Sequence, residues 1–430
     1  MSATDYRRTK RACYFSYFAM TSVFCLPPLL FATFRESYGI SFTLLGTLVL
    51  VNFLTQLGID LVFTFFHKHF NLKIVVRVMP LLTSLGLFIY ALIPMFLPQY
   101  AYIGLLCGTV VFSLSAGLSE VLLSPIIAAI PSKNPDRDMS LLHSLYAVGL
   151  VWVILVSTLF LRLFGTENWA YLTIFWAVIP IASFALFALS PLPQIQISHE
   201  KGSSEQAKRR IFGIALCLIC IFLGSAAENS MTNWISVYME SALGIPKVWG
   251  DILGMTVFAI LLGLGRMLYA KYGRNISLIM LLGMIGATVC YLVAGLSPNF
   301  VVAMIACVLT GLCTSMLWPG TLILMEEKLP RLGVVAYALM AAGGDFGAAV
   351  VPQLVGGVVD SVSASGWAAE LGQTLSLTCE QIGMKAGMLT AAIFPLIGIF
   401  VLLAMRKFFK KTDAGQGMPK LLKESENESE

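Results

Sequence analysis

The sequence predicts an all-α membrane protein, with twelve transmembrane helices in two pseudo-symmetric six-helix bundles. Three observations carry that reading: an oily composition, recurring apolar runs of helical span length, and one polar segment near mid-chain. Of 430 residues, 58% are hydrophobic and only 12% charged, where a soluble domain carries about 25%. Mean hydropathy is +0.84. Runs of about 20 apolar residues can each cross roughly 30 Å of hydrocarbon as a helix. Helices are required because lipid offers unpaired backbone groups no water. The short alternating strands of a membrane barrel are absent from the pattern.

The first expected span, 12–34, follows basic residues as a signal peptide would, but it is too long and lacks a clean cleavage site. The next five are 42–66, 74–96, 100–130, 139–164 and 168–190. The segment 191–210, "PLPQIQISHEKGSSEQAKRR", is polar and charged and reads as a linker between bundles 1–190 and 211–409. The second bundle is expected at 211–240, 248–271, 276–296, 299–327, 332–359 and 383–409, with a long loop at 360–382. The tail 410–430 ends "KESENESE", a composition expected of a disordered segment.

All but four of the 28 Lys and Arg, namely Arg35, Arg162, Lys247 and Lys385, fall at the termini, the linker and the loops on that same side. The positive-inside rule then places both termini and the linker in the cytoplasm of a cell membrane. The net charge of +5 is mostly this topology signal, so no nucleic-acid partner is expected. Eight of nine cysteines sit in or beside spans, which is no disulfide framework, and the Cys217/Cys220 spacing lies within a span. No phosphate-binding loop, HExxH or His/Cys cluster occurs. Neither an enzyme, a metal site nor a cofactor is expected.

Charges inside a bilayer cost several kcal/mol and normally face protein or water. Asp60, Glu120, Glu228 and Asp345 lie deep in expected spans. In "SAAENSMTNW", 225–234, the polar residues Ser225, Glu228, Asn229, Thr232 and Asn233 share an arc of about 140° at about 100° per residue. That arc fits the wall of a wet cavity; a polar seam against a neighbouring helix gives the same pattern. Thr109, Ser113, Gly117, Glu120 and Ser124 form a second stripe, and Asn52, Gln56, Asp60 and Thr64 an i+4 ladder. Asp60 could equally hold a loop residue such as Lys68. Asp345 stands among Gly343, Gly344 and Gly347, where close helix approach is possible, and could equally cap a distorted turn. Trp318 beside Pro319 is a candidate stacking platform or an interfacial anchor.

Six plus six spans with a basic central loop resemble the major facilitator superfamily, whose halves are repeats that bind substrate at the midplane. "GRMLYAKYGRN", 265–275, resembles its gate-loop motif and implies a cytoplasmic gate at Arg266, Lys271, Gly273 and Arg274. "FHKHFNLK", 66–73, departs from that motif by lacking its Asp and Gly. Within the superfamily, "SAGLSEVLLSPIIAAI", "MSLLHSLYAVG", "FLGSAAENSMTNWISVYM" and "MAAGGDFGAAVVPQLVGGVVD" resemble the fucose/glucose/galactose:cation symporter group. The resemblance implies a carboxylate for sugar and proton at Glu120, sugar-contacting side chains at His143 and Tyr146, and functional positions at Glu228 and Trp234. The proton-coupling Asp in the group's first span has no counterpart in "TSVFCLPPLLF".

The expected function is secondary transport of a small polar solute, a sugar first, coupled to H⁺ or Na⁺ by alternating access. Coupling candidates are Glu120, Glu228, Asp345 and Asp60. Substrate candidates are Asn229, Asn233, His143, Tyr146, Gln56, Asn52, Trp234 and Trp318. The expected partners are the solute and the lipid bilayer, with the chain acting as a monomer. An efflux carrier for amphipathic drugs or metabolites is the alternative, and a carrier-like sensor without flux is a third.

Overall fold

The structure, a computed structural model, describes residues 6–66, 69–132, 135–193, 207–273, 275–329 and 334–415, and the described chain is almost wholly helical. The first half contains α1 (Arg7–Tyr38), α2 (Phe42–Phe66), α3 (Leu72–Phe96), α4 (Ala101–Ala129), α5 (Pro135–Phe164) and α6 (Trp169–Ala188). The second begins with α7 (Ala207–Val237) and a π-helical turn, Tyr238–Ala242. Its next span combines α8 (Lys247–Trp249), a π-helical segment Gly250–Thr256 and α9 (Val257–Tyr272). There follow α10 (Ile276–Leu296), then α11 (Phe300–Thr314) and α12 (Leu317–Lys328) as one broken span, and α13 (Val334–Ser363). The short α14 (Gly366–Leu375) and the long α15 (Cys379–Gly415) complete the chain. Eleven segments among the described residues are long and apolar enough to cross a membrane, and Val148–Phe164 within α5 is a shorter twelfth.

The helices form two sets. In the first, α1 packs on α5 and α6, α3 on α4 and α6, and α2 on α4. In the second, α7 packs on α13 and α15, α10 on α11 and α15, and α9 on α11. The sets meet where α2 lies on α13, α1 on α7, and α5 on the π-helical segment of the eighth span. Lipid tails are as apolar as Leu, so side-chain packing rather than the hydrophobic effect holds such faces. Small residues permit it: a Cβ on Gly347 would stand 2.3 Å from the Phe222 carbonyl oxygen, so α13 and α7 touch backbone to backbone. On the outside, Leu278, Leu282, Ile285, Val289 and Leu292 of α10 repeat every three or four residues and are exposed, the stripe that lipid would cover.

Three details depart from the expected spans. The 360–382 segment is mostly helical, because α13 runs to Ser363 and the Ser365 side chain accepts from Ala368 N to start α14. The tenth span, expected as one run 299–327, breaks at Ser315–Met316, just ahead of Pro319. The π-helical stretches have no counterpart in the hydropathy pattern.

With twelve crossings, both ends of the described chain lie at one face, here the termini end; the opposite face is the far end.

Candidate functional site

The i+4 ladder of α2 places Asn52, Gln56 and Asp60 on one face, and all three are buried. Gln56 Nε2 donates to Asn52 Oδ1 at 2.9 Å, and Ser113 Oγ of α4 donates to the same oxygen at 2.6 Å. The two polar stripes expected from the sequence are thus stitched together. Thr64 side-chain placement and Lys68 lie outside the described residues. Across the boundary between halves, the Asp60 carboxyl is hydrogen-bonded to that of Asp345 on α13. Two carboxylates this close repel each other strongly in a low-dielectric interior unless one of them is protonated. Glu120 of α4 is close enough to act electrostatically on both. Its side chain is exposed although α4 packs against α1, α2 and α3, so it faces a space open to water.

In the second half, Glu228 Oε1 accepts from Arg266 Nη2 at 3.2 Å. Arg266 Nε also donates to the Ser315 carbonyl at 3.1 Å, an acceptor at the break between α11 and α12. Asn229 Nδ2 donates to the Ser225 carbonyl and hydroxyl, and Asn233 Nδ2 to the Asn229 carbonyl. Glu228, Asn229 and Thr232 are each partly exposed, whereas Ser225, Asn233 and Ser236 are buried. Part of the polar arc therefore faces the hollow and the rest faces neighbours.

Two tyrosines of the first half lie near charged groups of both halves. Tyr146 of α5 lies in the electrostatic reach of both Glu120 and Glu228, and Tyr17 of α1 in that of Glu120 and Arg266. Their ring centroids are 6.1 Å apart. Towards the far end, Asn52 and Thr109 of the first half share a narrow pocket with Asn233 of the second, walled by Phe24, Phe31 and Phe112. Buried acceptors without hydrogen-bond partners include Gln56 Oε1, Glu228 Oε2 and Asp345 Oδ2.

The other candidates fall elsewhere. Trp234 is fully buried at the boundary between halves, with Phe31 and Phe42 rings 5.8 and 5.9 Å away and its Nε1 donating to the Pro352 carbonyl. Trp318 is half-buried against Gly344, beside Asp345. Lys271 lies over the Tyr272 ring, and Gly273 ends α9. Arg274 and the side chain of His143 lie outside the described residues.

The far end is closed by contacts between halves. Arg35 Nη2 pairs with Glu380 Oε2 at 2.6 Å. The Asp360 carboxylate accepts from Phe42 N and Thr43 N at 3.1 and 2.6 Å, capping α2. A Cβ on Gly356 would stand 2.3 Å from the Phe42 carbonyl oxygen, so this crossing is also backbone on backbone. Lys247 Nζ donates to the Leu29 carbonyl and lies 3.5 Å from Asp251 Oδ2. Asp251 is wholly buried in the π-helical segment and accepts from Ser236 of its own half and Thr158 of the other. The sequence reading missed Asp251, Asp360 and Tyr17. A signal for the first was present, the i,i+4 pair of Lys247 and Asp251 in "KVWGD".

The profile of the Major Facilitator Superfamily matches residues 13–352. The chain belongs to that superfamily: it is a multi-pass membrane transporter with the superfamily's twelve-helix fold, not an enzyme. No curated protein sequence matches it significantly. Among solved structures, it is similar to a bacterial homologue of the human lysosomal transporter Spinster in an inward-facing, occupied conformation. That match has a TM-score of 0.74 at 14% identity and covers 95% of this chain and 99% of the other. A D-xylose–proton symporter gives 0.71 at 14% identity, covering 91% and 97%. The Escherichia coli fucose:proton symporter gives 0.57 at 13% identity, covering 93% and 99%.

Proposed function

We propose that this transporter is a secondary active carrier of a small polar solute, a sugar in the leading reading, coupled to H⁺ or Na⁺ by alternating access. Its membrane would be the cell membrane, with the termini end in the cytoplasm. The observation that carries this reading is the gathering of Asp60, Glu120 and Tyr146 from one half with Glu228 and Asp345 from the other. The unpartnered oxygens of Gln56, Glu228 and Asp345 match the hydroxyl donors of a sugar, a proton or a sodium ion. The xylose–proton and fucose:proton carriers among the similar structures support the same class.

The mechanism follows from which half holds each group. The far-end contacts close the cavity on that side, so opening for access falls to the termini end. A proton shared by Asp60 and Asp345 lets the two halves stay together there. Its loss would leave two carboxylates in contact, which repel across a low-dielectric space and favour separation. Glu120 and Glu228 serve as the groups that exchange a cation with the solute, and Arg266 balances Glu228 while the site is empty. Asn229, Asn233, Asn52 and Gln56 offer hydrogen bonds to hydroxyls.

A solute panel read by thermal shift identifies the ligand, since a ligand of the folded form raises apparent stability. Glu120→Gln and Glu228→Gln in proteoliposomes then keep exchange of that solute but lose its accumulation. If both variants accumulate it as wild type does, these residues do not couple transport. Efflux of amphipathic compounds is the second reading, favoured by the Phe24, Phe31 and Phe112 wall. Competition by lipophilic cations rather than hexoses would select it.

A further inference from the structure

At the termini end of the second half, away from the central cavity, a cleft of about 320 Å³ opens between α10, α12 and α15. Its polar lining includes Lys328 of α12 and Arg406 and Lys410 of α15, with Ser277 at the start of α10. Glu327 is the single acidic side chain among the described lining residues and pairs with Lys328 at 3.1 Å, so these residues keep a net positive charge. The floor is apolar, from Leu324 and Phe409, both buried. From the sequence, these cations read only as topology charges. The fold instead draws three of them, from two helices, around one concavity.

We propose that this cleft binds the phosphate headgroup of an anionic phospholipid. The cations supply charge-assisted hydrogen bonds to phosphate oxygens, and Arg406 can do so through two N–H groups at once. A membrane lipid rather than a dissolved phosphate is the source because of what borders the cleft. Leu278, next to Ser277, and Leu403, one turn before Arg406, are exposed and apolar and run from the cleft into the lipid-facing surface. A headgroup seated among the cations would lay its acyl chains along α10 and α15. Basic pockets between transmembrane helices on the positive side of a membrane are recognised sites for acidic lipids. The site is separate from the carboxylate cluster and independent of which solute is carried.

The test is binding of short-chain phosphatidylglycerol to the full-length protein in a neutral detergent, by native mass spectrometry and thermal shift. Phosphatidylcholine and inorganic phosphate are the comparison ligands. Arg406→Gln with Lys410→Gln is the variant, and its unliganded melting temperature reports that it folds. At about fivefold per basic residue, the pair should weaken phosphatidylglycerol binding roughly 25-fold, with phosphatidylcholine weak on both proteins and inorganic phosphate without effect. Equal phosphatidylglycerol binding by variant and wild type would overturn the proposal. So would a phosphatidylcholine shift as large as that of phosphatidylglycerol, or inorganic phosphate reproducing the whole effect. Should the double variant fail to fold, Lys328→Gln replaces it, with about a fivefold weakening expected and none overturning the site.

Discussion

Replacing Asp360 by Ala removes a contact that exists only while the far ends of the two halves are together. Its carboxylate, on α13, accepts from Phe42 N and Thr43 N in the first turn of α2. Losing an N-terminal capping acceptor costs roughly 0.5–2 kcal/mol, and the carboxylate also interacts with the positive end of the α2 dipole. A loss of about 1–2 kcal/mol from the far-end-closed state corresponds to about a 5- to 30-fold shift towards the far-end-open state. Spin labels at the exposed positions Glu36 and Thr374 straddle this boundary. Cys107, Cys313 and Cys379, the three cysteines that are not buried, are first changed to Ser. Electron–electron double resonance should show the longer-distance population growing by that factor in Asp360→Ala and less in Asp360→Asn, which keeps an acceptor. Adding Glu380→Gln, which removes the Arg35 ion pair, should enlarge it further. Distance distributions that superimpose on wild type, in folded protein, would refute the assignment of these contacts to the far gate.

Three other outcomes follow from the same geometry. Lys247→Met strands the buried Asp251 and should cost about 3–5 kcal/mol in detergent unfolding; Lys247→Met with Asp251→Asn should recover more than half, and simple additivity would contradict a paired network. Gly356→Val places a side chain where a Cβ already meets the Phe42 carbonyl, so it should cost about 1–3 kcal/mol, and a melting temperature equal to wild type would disprove the close crossing. Asp138 accepts from Lys10 and Ser132, which hold its carboxyl below the usual carboxylate range. Its stabilising effect is therefore complete above the ordinary Asp value of about 3.9 and is lost as pH falls through the lower folded value. Hydrogen exchange at the start of α1 should rise on that acid descent in wild type and be pH-independent in this respect in Asp138→Asn.

The twelve-span architecture was legible because every crossing must satisfy its own backbone, so hydropathy alone marks it. The polar stripes were legible for the same reason: Glu120, Glu228, Asp60 and Asp345 stand out against lipid. What a helical wheel cannot supply is which stripes face each other. It does not say that the α2–α13 crossing brings Asp345 to Asp60. Arg266 was read from a loop motif, which gave no sign that the break at Ser315 lets it reach both the Ser315 carbonyl and Glu228. Trp234 occupies a matching motif position but spends its N–H on Pro352 within the boundary between halves. Asp251 was overlooked because it falls near a span end, where a charge costs little if it faces water. The π-helical turn that buries it leaves no trace in composition.

The most direct measurement is solute-driven ion movement in proteoliposomes, read by an internal pH dye with the membrane potential clamped. The account predicts that the solute found in the panel carries protons with it in wild type, or requires a sodium gradient. It also predicts that Asp345→Asn and Glu120→Gln uncouple that movement while still exchanging solute. Solute entry that ignores both gradients, or ion movement in these variants equal to wild type, would contradict it.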